Sequence, residues 1–189
     1  TGGGLVDLDL NSCNEATIKN VQQEHIDVRG SVKTLDISDC TGGGLIDVNG
    51  SVKTLDISDC TKWVQLEKSA SCDEVTIQQT QGPVTVQGLV KSINASNSNE
   101  IYIESTATIG VLTVKSCYGC SIDGNVDQLI ISNMNQLAPW RIGSKDDIFI
   151  PSVTVQNCTF DDVYIASMTG SSATIDKYIK EVLDSRENN

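Results

Sequence analysis

Apolar and polar residues alternate along most of this chain, and the alternation keeps returning in the same phase. With Ile37 as the marker, equivalent positions are Ile18, Ile37, Ile57, Ile77, Ala95, Val114, Ile131 and Val155. Two residues earlier stand Ala16, Leu35, Leu55, Val75, Ile93, Leu112, Leu129 and Val153, and five earlier Cys13, Val32, Val52, Cys72, Val90, Ile109, Val126 and Ile150. Three residues later stand Val21, Cys40, Cys60, Thr80, Ser98, Cys117, Met134 and Cys158. A period of two within each unit predicts strands with one buried face. The units recur at 17 to 20 residues, and the step from Ile131 to Val155 is 24, with a loop expected around Pro139 and Trp140.

A second strand is predicted in each unit from the pairs Val6/Leu8, Ile26/Val28, Ile46/Val48, Val64/Leu66, Val84/Val86, Ile101/Ile103, Cys120/Ile122, Trp140/Ile142 and Val163/Ile165. Ser31–Cys40 recurs letter for letter as Ser51–Cys60, and Thr1–Leu5 as Thr41–Leu45. Gly30, Gly50, Gly88 and Gly124 mark one corner, where a tight turn is expected to need positive φ. A unit this short has no room for a helix beside two strands, and a fixed period of this size marks a solenoid. The expected fold is therefore all-β: a single parallel β-helix of about eight to nine coils over residues 1–172. Ile175, Tyr178, Ile179, Val182 and Leu183 follow helical spacing, so an amphipathic capping α-helix is expected from about Thr174 to Ser185, with residues 173–189 forming helix and tail and Ser172 or Thr174 as its N-cap. The open ends of a β-helix invite edge association, which includes a homodimer through the helix ends.

Composition narrows the partners. The net charge of −12 disfavours nucleic acid and anionic membrane, and suits a basic protein surface or cations. No run of eighteen apolar residues predicts a membrane span. Seven cysteines include four in one inward column and two in another, where a free thiol serves as a small buried hydrophobe. Cys117-Tyr118-Gly119-Cys120 has no second pair to complete a zinc site, and His25 is the single histidine. An odd count with stacked thiols fits a reducing compartment, although Cys40 and Cys60 would lie about 5 Å apart, close enough for an adventitious disulfide.

The acidic residues supply the candidate partner-binding site. Asp7, Asp27 and Asp47 recur at equivalent outward positions, as do Asp36 with Asp56 and Asp39 with Asp59. Stacked carboxylates repel, and Ca²⁺ or neighbouring Lys33 and Lys53 would relieve them; the alternative is a solvated face copied by duplication. Trp63, Tyr102 and Tyr118 are the aromatic candidates for a contact surface. No acid/base pair, no Ser-His-Asp set and no phosphate-binding loop is legible; Gly2–Gly4 and Gly42–Gly44 read as corners. Asn94-Ala95-Ser96 and Asn157-Cys158-Thr159 match the glycosylation pattern but place their middle residues in inward columns.

The unit reads Gly30-Ser-Val-Lys-Thr-Leu-Asp-Ile-Ser-Asp-Cys40, then the same from Gly50 to Cys60, Gly88-Leu-Val-Lys-Ser-Ile-Asn-Ala-Ser-Asn-Ser98, and Gly124-Asn-Val-Asp-Gln-Leu-Ile-Ile-Ser-Asn-Met134. With these units, the stretch Gly82–Ser144 resembles the C-terminal β-helix, the CARP-motif domain, of cyclase-associated proteins, in the superfamily that also holds tubulin-folding cofactor C. The resemblance implies a cytoskeletal module that binds monomeric actin and promotes its nucleotide exchange, with dimerisation through a swapped C-terminal strand pair. The Gln-x-Arg string of the cofactor C branch has no arginine counterpart at Gln78-Gln79-Thr80. The resulting expectation is a cytoplasmic, non-catalytic interaction module without cofactor or metal. The alternatives are a secreted or surface adhesin-type spacer and a carbohydrate-active β-helix enzyme.

Overall fold

The computed structural model describes residues 5–22, 25–134, 140–142, 150–158, 163–165 and 172–175. They form an all-β parallel solenoid of about seven turns. The eight to nine coils expected from the repeat extend beyond what these residues make up.

Two strand columns build it. The long column contains the second halves of β1 (Leu5–Lys19) and β2 (His25–Ser38), followed by β4 (Ser51–Ser58), β6 (Ser71–Gln78), β8 (Leu89–Ser96), β10 (Thr108–Lys115), β12 (Asn125–Ser132), β14 (Ser152–Gln156) and β16 (Ser172–Ile175). The short column contains the first halves of β1 and β2, then β3 (Leu45–Val48), β5 (Trp63–Leu66), β7 (Val84–Val86), β9 (Glu100–Ile103), β11 (Gly119–Ile122), β13 (Trp140–Ile142) and β15 (Val163–Ile165). Trp140 lies in the short strand expected from the Trp140/Ile142 pair and not in the loop expected around Pro139 and Trp140. Pro139 lies outside the described residues.

Every strand pairs in parallel with its copy one coil on, and the phase read from the sequence is the register. Ile18, Ile37, Ile57, Ile77, Ala95, Val114, Ile131 and Val155 follow one another as partners. The next partner in that column is Ile175. Here the structure corrects the sequence reading: Ser172–Ile175 is a strand paired with β14, so no helix starts at Thr174. Ala173 and Ile175 alternate with period two and stand twenty residues after Val153 and Val155, which a coil-to-coil ladder satisfies and a four-residue helical turn would not. The rest of the expected helix, 176–185, lies outside the described residues.

The inward columns form one continuous core, which includes Leu35, Leu55, Ile93, Leu112 and Leu129. The column of Cys40, Cys60, Thr80, Ser98, Cys117, Met134 and Cys158 is buried throughout. Its residues follow a turn whose preceding residue is left-handed: Asn20, Asp39, Asp59, Gln79, Asn97, Ser116, Asn133 and Asn157 all have φ between 50° and 57°. That turn leaves a carbonyl pointing inward, and the buried side chain donates to it. Cys60 Sγ donates to Ser58 O at 3.1 Å, Cys158 Sγ to Gln156 O at 3.1 Å and Ser98 Oγ to Ser96 O at 2.9 Å. Small size and a donor together explain the preference for Cys and Ser here. All seven cysteines are free.

The corner glycines have two different causes. Gly30 has φ +97°, as expected. Gly50, Gly88 and Gly124 do not share it; a Cβ on each would meet a backbone oxygen of the preceding coil, at 2.0 Å from Gly30 O, 2.3 Å from Ala70 O and 2.5 Å from Glu104 O. At the opposite corner Gly42–Gly44 form a loop, with φ +90° at Gly42 and +114° at Gly44. Lys62 is buried beneath it and donates Nζ to Gly43 O at 2.8 Å.

Two substitutions test these readings. Gly50→Ala must push two coils apart and is expected to destabilise by about 1–3 kcal/mol in denaturant unfolding. Asp59→Ala is expected to lose about 1 kcal/mol while Asp59→Asn is neutral, because alanine resists the left-handed conformation that asparagine accepts.

Candidate functional site

The seven aspartates singled out from the sequence divide into three groups. Asp39 and Asp59 are left-handed turn residues, so their position in the column follows from backbone conformation. Asp39 also accepts an ion pair from Lys19, Nζ to Oδ2 at 3.3 Å. Asp36 and Asp56 point outward from the long column, half-buried between threonines and asparagine of the same row: Thr17, Thr76, Asn94 and Thr113. Lys33 and Lys53 do not relieve them; among the described residues neither lysine forms an ion pair, and both line a groove at the Gly30/Gly50 corner.

Asp7, Asp27 and Asp47 are in register on the outer face of the short column. Only Asp7 is exposed. Asp27 and Asp47 retain 7 % and 9 % of their surface although they point away from the core. Neighbouring side chains lie flat against the strands and cover them. Arg29 bonds Asp27 within its own strand and reaches Asp7 of the preceding coil at 3.8 Å. Asn49 donates Nδ2 to Asp27 Oδ1 at 2.8 Å, and Ser69 Oγ lies 3.3 Å from Asn49 Oδ1. His25 Nε2 stands 3.1 Å from Asp47 Oδ2, while Asp47 Oδ1 is buried with no hydrogen-bond partner.

Equivalent by sequence, the two buried aspartates are opposite in electrostatics. Burial pushes the Asp27 pKa up, but the hydrogen bonds from Asn49 and Arg29 and the Arg29 charge outweigh it, and the pKa is lowered. At Asp47 burial dominates, the Glu67 charge adds to it, His25 only partly offsets it, and the pKa is raised. Among the described residues no three His, Cys, Asp or Glu side chains gather as a metal site.

The same face continues along the axis with a changed chemistry. The central row runs Asp7, Asp27, Asp47, Gln65, Thr85, Tyr102 and Ser121. Trp63 lies across it and donates Nε1 to Thr85 Oγ1 at 2.9 Å; Thr85 is buried as a result, while the indole itself is 46 % exposed. The Tyr102 hydroxyl donates to Glu100 Oε2 at 2.5 Å, and that bond, followed by burial, raises its pKa to about 12. Gln65 donates Nε2 to Glu67 Oε1 at 2.6 Å. Tyr118 is exposed at the corner beside this face. Trp63, Tyr102 and Gln65 are each held by a side-chain hydrogen bond along this face, which preorganises them, while Tyr118 is not.

Charge is segregated between the two outer faces. From Leu5 to Asp123 the short strands and their flanking positions carry Asp7, Asp9, Asp27, Asp47, Glu67, Glu100, Glu104 and Asp123 against Arg29, the buried Lys62 and Lys68 in the turn after Glu67. Arg141 follows in the central row on β13. Lys19, Lys33, Lys53, Lys91 and Lys115 all belong to the long column, among its carboxylates. Sequence reading found the aspartate row but missed Arg29, Asn49 and His25 around it; their spacing of two residues from Asp27 and Asp47 along the strands was the available signal. The glycosylation triplets center on Ala95 and Cys158, both buried in the core as expected. Among the described residues no helix is long and apolar enough to cross a membrane.

Comparison of the chain with protein-family models, curated proteins and solved structures gives no match.

The opposite shifts of the two aspartates carry opposite signs in stability. The lowered pKa of Asp27 means that its contribution is present at neutral pH and is lost as the pH falls through the native value. Asp27→Asn is therefore expected to cost about 1–3 kcal/mol at neutral pH, since Arg29 and Asn49 lose their charged acceptor. The raised pKa of Asp47 means that its contribution is present only at low pH and is lost as the pH rises through the native value. Asp47→Asn should raise the melting temperature at neutral pH, a gain that disappears in acid. Thermal unfolding of both variants between acid and neutral pH measures this.

Proposed function

We propose that this solenoid is a non-catalytic protein-interaction module whose partner docks on the outer face of the short column and is basic where it touches. The observation that carries the reading is the segregation of charge: from Leu5 to Asp123 eight carboxylates stand on that face against Arg29, the buried Lys62 and Lys68 at its edge, while Lys19, Lys33, Lys53, Lys91 and Lys115 lie on the long column. A surface of one sign steers an oppositely charged partner and selects against others. Trp63 and Tyr102, pinned flat, supply the aromatic anchors that a charged rim by itself lacks, and an arginine of the partner stacks on such rings. Free thiols, six of the seven buried, support a reducing compartment such as the cytoplasm. Monomeric actin is the partner that the resemblance to cyclase-associated proteins implies, and it docks on this face in our reading.

Affinity capture from lysate with the whole chain as bait tests the face. Partner recovery should fall with added salt and be lost with Glu67→Lys and Glu100→Lys together, and should fall with Trp63→Ala, while Asp36→Lys and Asp56→Lys on the other face leave it unchanged. Equal loss from both faces would overturn the assignment. Purified monomeric actin is assayed separately, and absence of binding at tens of micromolar would remove actin as the partner.

A further inference from the structure

A second surface stands apart from this face. At the corner where the coils pass Gly30 and Gly50, the outer wall is concave, a groove of about 390 Å³. A ladder of exposed serines, Ser31, Ser51 and Ser71, runs along it, with Lys33 and Lys53 beside them. Its end at β1 is formed by Ser12 and Asn14, on and just beyond a bulge of β1 between Leu10 and Cys13.

We propose that this groove binds an oxyanion, a phosphate, sulfate or carboxylate group, clamped between Lys33 and Lys53 and hydrogen-bonded by the serine hydroxyls. Parallel register places the two lysines one coil apart, about 4.8 Å along the axis. Elsewhere on the long column Lys19 pairs with Asp39 at 3.3 Å and Lys91 with Asp73 at 2.6 Å, while Lys115 stands singly, without a second lysine on the neighbouring coil. Asp73 closes the far end of the groove, but its carboxylate is engaged by Lys91 and faces a cation of its own. Lys33 and Lys53 therefore form a pair of like charges with no acidic partner, in a chain that is acidic as a whole. Ammonium groups carried side by side on neighbouring coils repel unless an anion bridges them, and an oxyanion offers each an acceptor at charge-assisted length. The hydroxyls complete the shell, since each both donates to the anion and tolerates the neighbouring ammonium. The letter-for-letter copying of Ser31–Cys40 into Ser51–Cys60 creates the site, because one coil alone presents one lysine.

Titration of the intact isotope-labelled protein with inorganic phosphate, inorganic sulfate and acetate, at constant ionic strength set with chloride, reads the site by amide shifts. Saturable shifts confined to residues 12–14, 31–33, 51–53 and 71 are expected, and the strongest of the three ions tells which oxyanion class fits. Lys33→Gln or Lys53→Gln should each weaken binding by about tenfold, as expected for loss of one charge-assisted bond, while Lys115→Gln leaves it unchanged. Shifts that spread along every lysine, that persist in the double Gln variant, or that never saturate overturn the proposal. The Gln variants keep the aliphatic stem and the exposed position, and an unchanged melting temperature separates loss of the site from loss of the fold.

Discussion

Everything in this molecule hangs on the parallel hydrogen-bonded ladder that ties each coil to the next. Because each strand lies in register on its own copy, like stacks on like at every position. Inside, that favours columns of Leu, Ile and Val, which pack on themselves. Outside, it forces identical charges into rows, and the Asp7, Asp27 and Asp47 row shows how the strain is handled. Arg29 crosses between two coils, Asn49 reaches back to Asp27, and both lie flat against the sheet. The second and third aspartates end up buried without facing the core.

The ladder also has to turn corners without losing its hydrogen bonds. At one corner it does so through a left-handed residue in each coil, whose amide still donates to the coil beyond, as Asp39 N does to Ser58 O at 3.2 Å and Asn97 N to Lys115 O at 3.0 Å. Asn or Asp occupies six of the eight places because they tolerate the conformation, and Gln79 and Ser116 fill the other two. At the other corner successive coils approach so closely that Gly50 and Gly88 leave no room for a side chain. Conformation and contact thus account for residues that repetition alone makes look functional.

Two strands per coil give two outer faces with separate chemistries. The short strands collect carboxylates and tethered aromatic rings, the long strands mix both signs, and the corner between them holds the serine and lysine groove. A rigid rod that carries different surfaces on different sides suits binding, since each surface is preorganised by the same backbone ladder and needs no ordering when a partner arrives.

The sequence by itself determined the class of fold, the strand columns and the register, because hydrophobic period and coil length leave a short β-coil no other way to bury its apolar residues. It also identified the aspartate row and the aromatic residues near it. It misassigned Thr174 and Ile175, since over a few residues an apolar pattern satisfies both a helix and one more rung, and only pairing with β14 decides. Tertiary structure alone decided which aspartates are functional candidates. Asp39, Asp56 and Asp27 look alike as letters in a repeat, and they differ because one sits at a left-handed turn, one lies half-buried in an outward polar row, and one is covered by Arg29 of its own strand and Asn49 of the next coil.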